Sequence, residues 1–144
     1  MNAKKEMEKN PVKFRLDPAS GVPVYRQIID QVMGGLASGA HAGGDQLPTV
    51  RQLAVDLAVN PNTVIRAYRE LEILGILETQ QGTGTFISHR KVKRDDAERQ
   101  RQLAQLAADF VARAGHAGFT VQELLEQLAE HHIERQGDSK KNRR

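Results

Sequence analysis

Asn60, Pro61 and Asn62 sit in the middle of LAVNPNTVIRAYRELEILG (residues 57 to 75), a stretch that otherwise reads as helix. Proline in a helix interior removes a hydrogen bond and clashes with the preceding turn, at ~3 kcal/mol or more. The stretch is therefore one broken helix or two helices meeting at a tight junction. Asn60 favours the junction, because its side-chain oxygen can accept from the free amides of a new helix. Pro61 then takes the first helical position, where its missing N–H costs nothing. Val64, Ala67, Tyr68, Leu71 and Leu74 recur at helical spacing as the inward face, and Gly75 is a natural C-cap.

Upstream, TVRQLAVDLAV reads as a helix of about two and a half turns. Thr49 followed by Gln52 fits a capping box, with Val50, Leu53, Ala54 and Leu57 facing inward. Two short helices joined by a tight turn form a helix-turn-helix. After Gly75, ILETQ and TFIS read as short strands, and QGTG between them supplies hairpin turn residues. A hairpin in that place makes the helix-turn-helix a winged one. Ahead of it, LDPASGVP (16 to 23) is turn chemistry. A first helix is expected from about Pro23, with Val24, Tyr25, Ile28, Ile29, Val32 and Leu36 as its apolar stripe and Gly34, Gly35 and Gly39 weakening and ending it. HAGGDQLP (41 to 48) reads as a loop.

Beyond the hairpin, HRKVKRDDAERQRQ is highly charged. A helix then runs to about Ala114 with Leu103, Leu106, Ala107, Phe110, Val111 and Ala114 on one side, and GHAGF breaks it. Thr120 with Glu123 is a second capping box. The last helix carries Val121, Leu124, Leu125 and Leu128 and is expected to reach Glu134. The sequence thus divides into a flexible N-terminus (1–12), a winged helix-turn-helix DNA-binding domain (13–89), a two-helix region (90–136) and a flexible basic tail (137–144). The fold class is mostly α with a small β-hairpin.

Composition narrows the function. No apolar run approaches the ~20 residues that span a bilayer, and the charged N-terminus is no secretory signal. The chain has no cysteine, which excludes disulfides and thiolate chemistry and suits the cytoplasm. The net charge of +3 leans only mildly toward polyanions, so the placement of charge matters more. Nothing indicates an enzyme: there is no Gly-rich phosphate loop and no His-Glu metal motif, and GTGT (82 to 85) joins two strands. His131 and His132 are adjacent, hence ~100° apart on a helix, and with His116 they read as surface histidines. No metal or other cofactor is expected.

Projecting the third helix at about 100° per residue puts Asn62, Arg66 and Arg69 opposite its apolar face, with Ile73 on the same side and Ile65 at the margin. Such a polar face is by itself usually just solvated. Arg and Asn, however, are the side chains that make paired hydrogen bonds to guanine or adenine edges in the major groove. The helix start suits phosphate, where Thr63 can also donate. Arg51 is placed to meet another phosphate, and the hairpin tip from Gln81 to Gly84 has no acidic residue. Together these features favour DNA over a winged helix that contacts only proteins.

The segment from Leu47 to Ser88, LPTVRQLAVDLAVNPNTVIRAYRELEILGILETQQGTGTFIS, resembles the DNA-binding domain of GntR-family bacterial transcription regulators. The family pattern is Leu-Pro-Ser-x-Arg-x-Leu-Ala, a Val-Ser-x-x-Thr-Val turn and helix, then a Leu-x-x-x-Gly-Leu and Gly-x-Gly-Thr-Phe-Val hairpin. VPVYRQIIDQV extends the match, and VNPNT with the short C-terminal part looks like the YtrA-type branch. The resemblance implies that Thr49 and Arg51 hold phosphates, that Asn60, Asn62 and Thr63 open the recognition helix, and that Gln81 and Gly82 carry the wing tip toward the minor groove; Thr83, next in the hairpin tip, is a further candidate DNA contact. Many relatives have arginine where Pro61 and Ile65 stand here. Arg66 and Arg69 are placed by the projection to take over that readout.

Two helices with one apolar stripe each cannot wall a ligand pocket of several hundred Å³ within a monomer. They can bury those stripes against a symmetry mate, through Leu103, Leu106, Phe110, Val121, Leu124, Leu125 and Leu128. A two-fold homodimer sets its recognition helices ~34 Å apart and favours an inverted-repeat operator. The expected function is a sequence-specific transcription repressor bound to double-stranded operator DNA. The alternative is a ligand-sensing regulator whose C-terminal region binds an unknown effector that releases DNA.

Overall fold

A computed structural model of the chain describes residues 12–89 and 95–130. They fall into two units divided between Arg90 and Lys91. The first contains α1 (Val24–Ser38), β1 (Gln46–Leu47), α2 (Val50–Leu57), α3 (Pro61–Ile73), β2 (Leu77–Gln80) and β3 (Gly84–Ile87); the second contains α4 (Asp96–His116) and α5, helical over 121–130. No helix among the described residues is long and apolar enough to cross a membrane.

The core of the first unit follows the helical stripes. Ile28, Ile29 and Val32 of α1, Leu53 and Ala54 of α2, and Val64, Ala67, Tyr68 and Leu71 of α3 are buried together with Leu47, Leu77 and Ile87 of the strands. Leu74, expected to face inward, is exposed. Helix α3 ends one residue earlier in a Schellman closure, with Gly75 N–H donating to the Glu72 carbonyl and Ile76 N–H to that of Leu71. Gly75 adopts φ 73° there, so the chain reverses and Ile76, not Leu74, packs against the core.

The helices start as their caps dictate. Thr49 Oγ1 accepts from Gln52 N–H at 3.1 Å and Asn60 Oδ1 from Asn62 N–H at 2.8 Å. Only half of the first capping box forms, because the Gln52 side chain turns away and donates to Asp56 at 2.6 Å. The second box is complete: Thr120 and Glu123 exchange both bonds, at 2.8 and 3.2 Å. Helix α2 closes as α3 does, with Ala58 N–H on the Val55 carbonyl and Val59 N–H on that of Ala54. The left-handed position, however, is held by Ala58 at φ 53°.

Three readings of the sequence change. Gln46–Leu47 is a strand and not loop, so the wing is a three-stranded antiparallel sheet in the order β1-β3-β2. Gln46 pairs with Phe86 and Leu77 with Ile87. Helix α1 runs through Gly34 and Gly35 and stops only at Gly39, whose φ is 77°. Gly35 is buried, and a Cβ there would lie 1.9 Å from the His41 ring, whereas Gly34 has open space. Val12, assigned to the flexible N-terminus, is buried and donates its N–H to the Gln46 carbonyl. Two glutamines on α1 fasten the segment that follows: Gln31 pairs with the backbone of Arg15 and Gln27 with that of Asp17.

Candidate nucleic-acid interface

Every side chain proposed from sequence to meet DNA lies in the first unit, and all are exposed except Thr63, which is half-buried. The capping chemistry that places them uses acceptors and leaves donors. Thr49 gives its oxygen to Gln52 and keeps a hydroxyl proton; Asn60 gives Oδ1 to Asn62 and keeps its amide N–H groups. The backbone amides expected to await a phosphate at the start of α3 are engaged. Pro61 has none, Asn62 N–H is capped, and Thr63 N–H donates to the Asn60 carbonyl at 3.0 Å. Any phosphate contact at this end therefore falls to side chains and to the positive end of the helix dipole.

Asn62, Ile65, Arg66, Arg69, Glu70 and Ile73 form the outward stripe of α3 and border a shallow, open concavity. Ile65 is 37% exposed and Ile73 77%, so apolar surface interleaves with the polar groups. The two arginines differ. Arg69 has no ion pair among the described residues, and neither has Arg51. Arg66 is engaged twice: its guanidinium carbon sits 3.7 Å from the centroid of the Tyr25 ring on α1, and its Nε is 3.6 Å from Glu70 Oε1. The stack is worth ~0.5–2 kcal/mol. The carboxylate pair is partly solvated and worth at most ~1 kcal/mol. Reading the sequence placed Tyr25 in the apolar stripe and passed over Glu70. The helical i, i+4 spacing to Arg66 was the available signal for Glu70; no signal within the sequence pairs Tyr25 with Arg66.

Tyr68 fixes the junction from beneath. Its hydroxyl is buried and donates to the Pro48 carbonyl at 2.6 Å, tying α3 to the residue just before the Thr49 cap. Burial pushes that phenol far above its ordinary pKa.

The wing is braced from both sides. Thr79 donates to Glu72 of α3 at 2.6 Å, and Gln46 reaches across from β1 to the Thr83 carbonyl at 3.3 Å. Gly84 is held to glycine by its backbone, whose φ is 140°, and a Cβ there would also push the Gln46 amide aside, meeting its Nε2 at 2.7 Å. Gln81, Gly82 and Thr83 form the exposed loop between Gln80 and Gly84.

The second unit is unlike the first. Helix α4, capped by Asp95, buries no residue. Leu103, Leu106, Phe110, Val121, Leu125 and Leu128 are each about half exposed, and Leu124 is half-buried. His116 is the last residue of α4, not part of a loop, while His131 and His132 lie outside the described residues.

Comparison with known proteins agrees with this geometry. The family described as "Bacterial regulatory proteins, gntR family" matches residues 24–87. The chain is 40% identical over 121 residues to the HTH-type transcriptional repressor YtrA of Bacillus subtilis, covering 81% of this chain and 90% of that protein. It is 40% identical over 107 residues to the HTH-type transcriptional regulator YhcF of the same organism, covering 74% and 88%. Among solved structures, a transcriptional antiterminator from Listeria monocytogenes superposes with a TM-score of 0.63 at 26% identity, covering 83% of this chain and 90% of that one.

Proposed function

Since this chain belongs to the GntR family of bacterial regulatory proteins and is a DNA-binding transcription regulator, we propose that it is a repressor that binds an inverted-repeat operator as a homodimer. The observation that carries the reading is the outward stripe of α3, where Asn62, Arg66 and Arg69 stand on a helix braced from below by Tyr68. Asn62 offers a donor paired with an acceptor, and Arg69 a pair of donors, to base edges. Arg51 and Thr49 sit at the start of α2 as phosphate contacts. The wing tip, Gln81 to Thr83, offers polar groups and no negative charge to the flanking groove. Ile65 and Ile73 are apolar partners for thymine methyls.

Dimerisation falls to the second unit. Leu103, Leu106 and Phe110 repeat at three and four residues along α4, and Val121, Leu124, Leu125 and Leu128 do so along α5. Left half exposed, these side chains would keep about half of their apolar area in water; a second copy would remove it at roughly 25 cal/mol per Å². The similarity to YtrA, a protein named as a repressor, supports repression over activation.

The test is selection of duplexes from a random library by the full-length protein, followed by reporter assays with the selected site placed over a promoter. A palindromic consensus and silencing by the protein are expected. A consensus without two-fold symmetry, or unchanged reporter output, refutes the reading.

A further inference from the structure

Arg66 differs from the other candidate reading side chains in being held before any DNA arrives. The Tyr25 ring covers one face of its guanidinium, with 3.7 Å between the guanidinium carbon and the ring centroid. Glu70 faces its Nε at 3.6 Å. A ring stack uses the π face and consumes no N–H, and the carboxylate engages only the Nε side. The four N–H groups on the two terminal nitrogens stay free, and two parallel ones are what a guanine edge accepts. The ring belongs to α1 and the arginine to α3, so this contact is independent of the α3 helical repeat.

We propose that Tyr25 is a positioning residue for operator specificity: with Glu70 it holds the Arg66 guanidinium with its terminal edge presented outward. The inference rests on the reading that the outward face of α3 contacts bases. An unsupported arginine side chain loses its rotamer freedom on binding, which weakens affinity by roughly three- to tenfold. A stacked and paired one has already lost it on folding. Tyr25 therefore acts through Arg66, and its contribution vanishes when Arg66 is absent.

The full-length protein and its Tyr25→Leu, Tyr25→Phe, Glu70→Gln, Arg66→Ala and Tyr25→Leu/Arg66→Ala variants are titrated by fluorescence anisotropy at one salt concentration. The probes are the selected operator and an unrelated duplex of equal length. The quantity read is the ratio of the two affinities, which cancels the general effect of removing a charge. Arg66→Ala is expected to lower the ratio, and Tyr25→Phe to keep it. Tyr25→Leu should lower it roughly three- to tenfold, and Glu70→Gln should lower it less. Adding Tyr25→Leu to Arg66→Ala should change nothing further. The proposal is overturned if Tyr25→Leu lowers the ratio equally with and without Arg66, or if it leaves the ratio intact while Arg66→Ala lowers it. Should Tyr25→Leu fail to fold, Glu70→Gln decides, because it only exchanges a partly exposed carboxylate for its isosteric amide: an unchanged ratio there overturns the holding of Arg66. If Arg66→Ala itself binds the operator normally, the role of Arg66 in base reading fails together with the inference.

Discussion

Ala58→Gly should make the first unit more stable, although it deletes a side-chain carbon. Helices α2, α3 and α4 end with the same pair of backbone hydrogen bonds, and the residue with positive φ is Ala58, Gly75 and Gly118 respectively. An L-residue in the left-handed region costs roughly 1–2 kcal/mol, because its Cβ crowds the following carbonyl. Glycine removes that cost but gives the unfolded chain extra freedom, worth about 0.4–1 kcal/mol in the other direction. Ala58 is exposed, so its methyl contributes little burial. The net gain is roughly 0.5–1 kcal/mol, which for a unit of this size raises the melting midpoint by roughly 2–8 °C. Tyrosine fluorescence isolates the event, because the chain has no tryptophan and both tyrosines, Tyr25 and Tyr68, lie in the first unit. The same bonds set the α2–α3 turn in both proteins, so operator affinity should not change. A glycine variant that melts at or below the original temperature refutes the strain assigned to Ala58.

Three more outcomes follow from single contacts. Tyr68→Phe leaves the Pro48 carbonyl without its buried donor and should cost ~1–2 kcal/mol in urea unfolding. Because burial holds the Tyr68 phenol protonated above its ordinary pKa of 10.0, the unfolded chain loses that proton first as pH rises. Stability should therefore be full below pH ~10 and decline above it, with a shallower decline in Tyr68→Phe. The neighbouring glycines of α1 should diverge: Gly34→Ala gains up to ~1 kcal/mol of helix propensity in open space, while Gly35→Ala must displace the His41 ring and gains nothing or loses stability in the same melts. Leu106→Asp in the half-exposed stripe of α4 should yield monomers by light scattering and weaken operator binding, with the tyrosine signal of the first unit unchanged.

How much of this was legible in the sequence depended on the range of the interaction. Asn60 and Pro61 announced a helix start because a cap and a first-turn proline act within three residues, and the start of α3 is where they put it. The strands β2 and β3 were readable because turn glycines bracket them. β1 was not, since two residues have no periodicity and Gln46–Leu47 becomes a strand only by pairing with β3. Gly34 and Gly35 look alike in the sequence. Only the placement of His41 separates a glycine that must be small from one for which nothing in the structure gives a reason. Leu74 fitted the apolar repeat but fell just past the helix end, where the 3.6-residue period no longer governs direction. At the candidate interface, the outward stripe of α3 was legible from projection alone. The engagement of Arg66 by Tyr25 was not, because it joins residues 41 positions apart through the packing of α1 on α3.

Arg69, which has no ion pair among the described residues, is the cleanest probe of base reading by the outward face of α3. The decisive measurement is the affinity of Arg69→Ala for the selected operator, alongside a repeat of the selection with that variant. Loss of one paired base contact predicts ~5- to 150-fold weaker operator binding, with preference relaxed at one base pair in each half-site. The decline on an unrelated duplex should be no more than that of one phosphate-type charge, seen as a salt slope smaller by about one. An Arg69→Ala protein that binds the operator as tightly as the original, and selects the same consensus, would rule out base reading by this face.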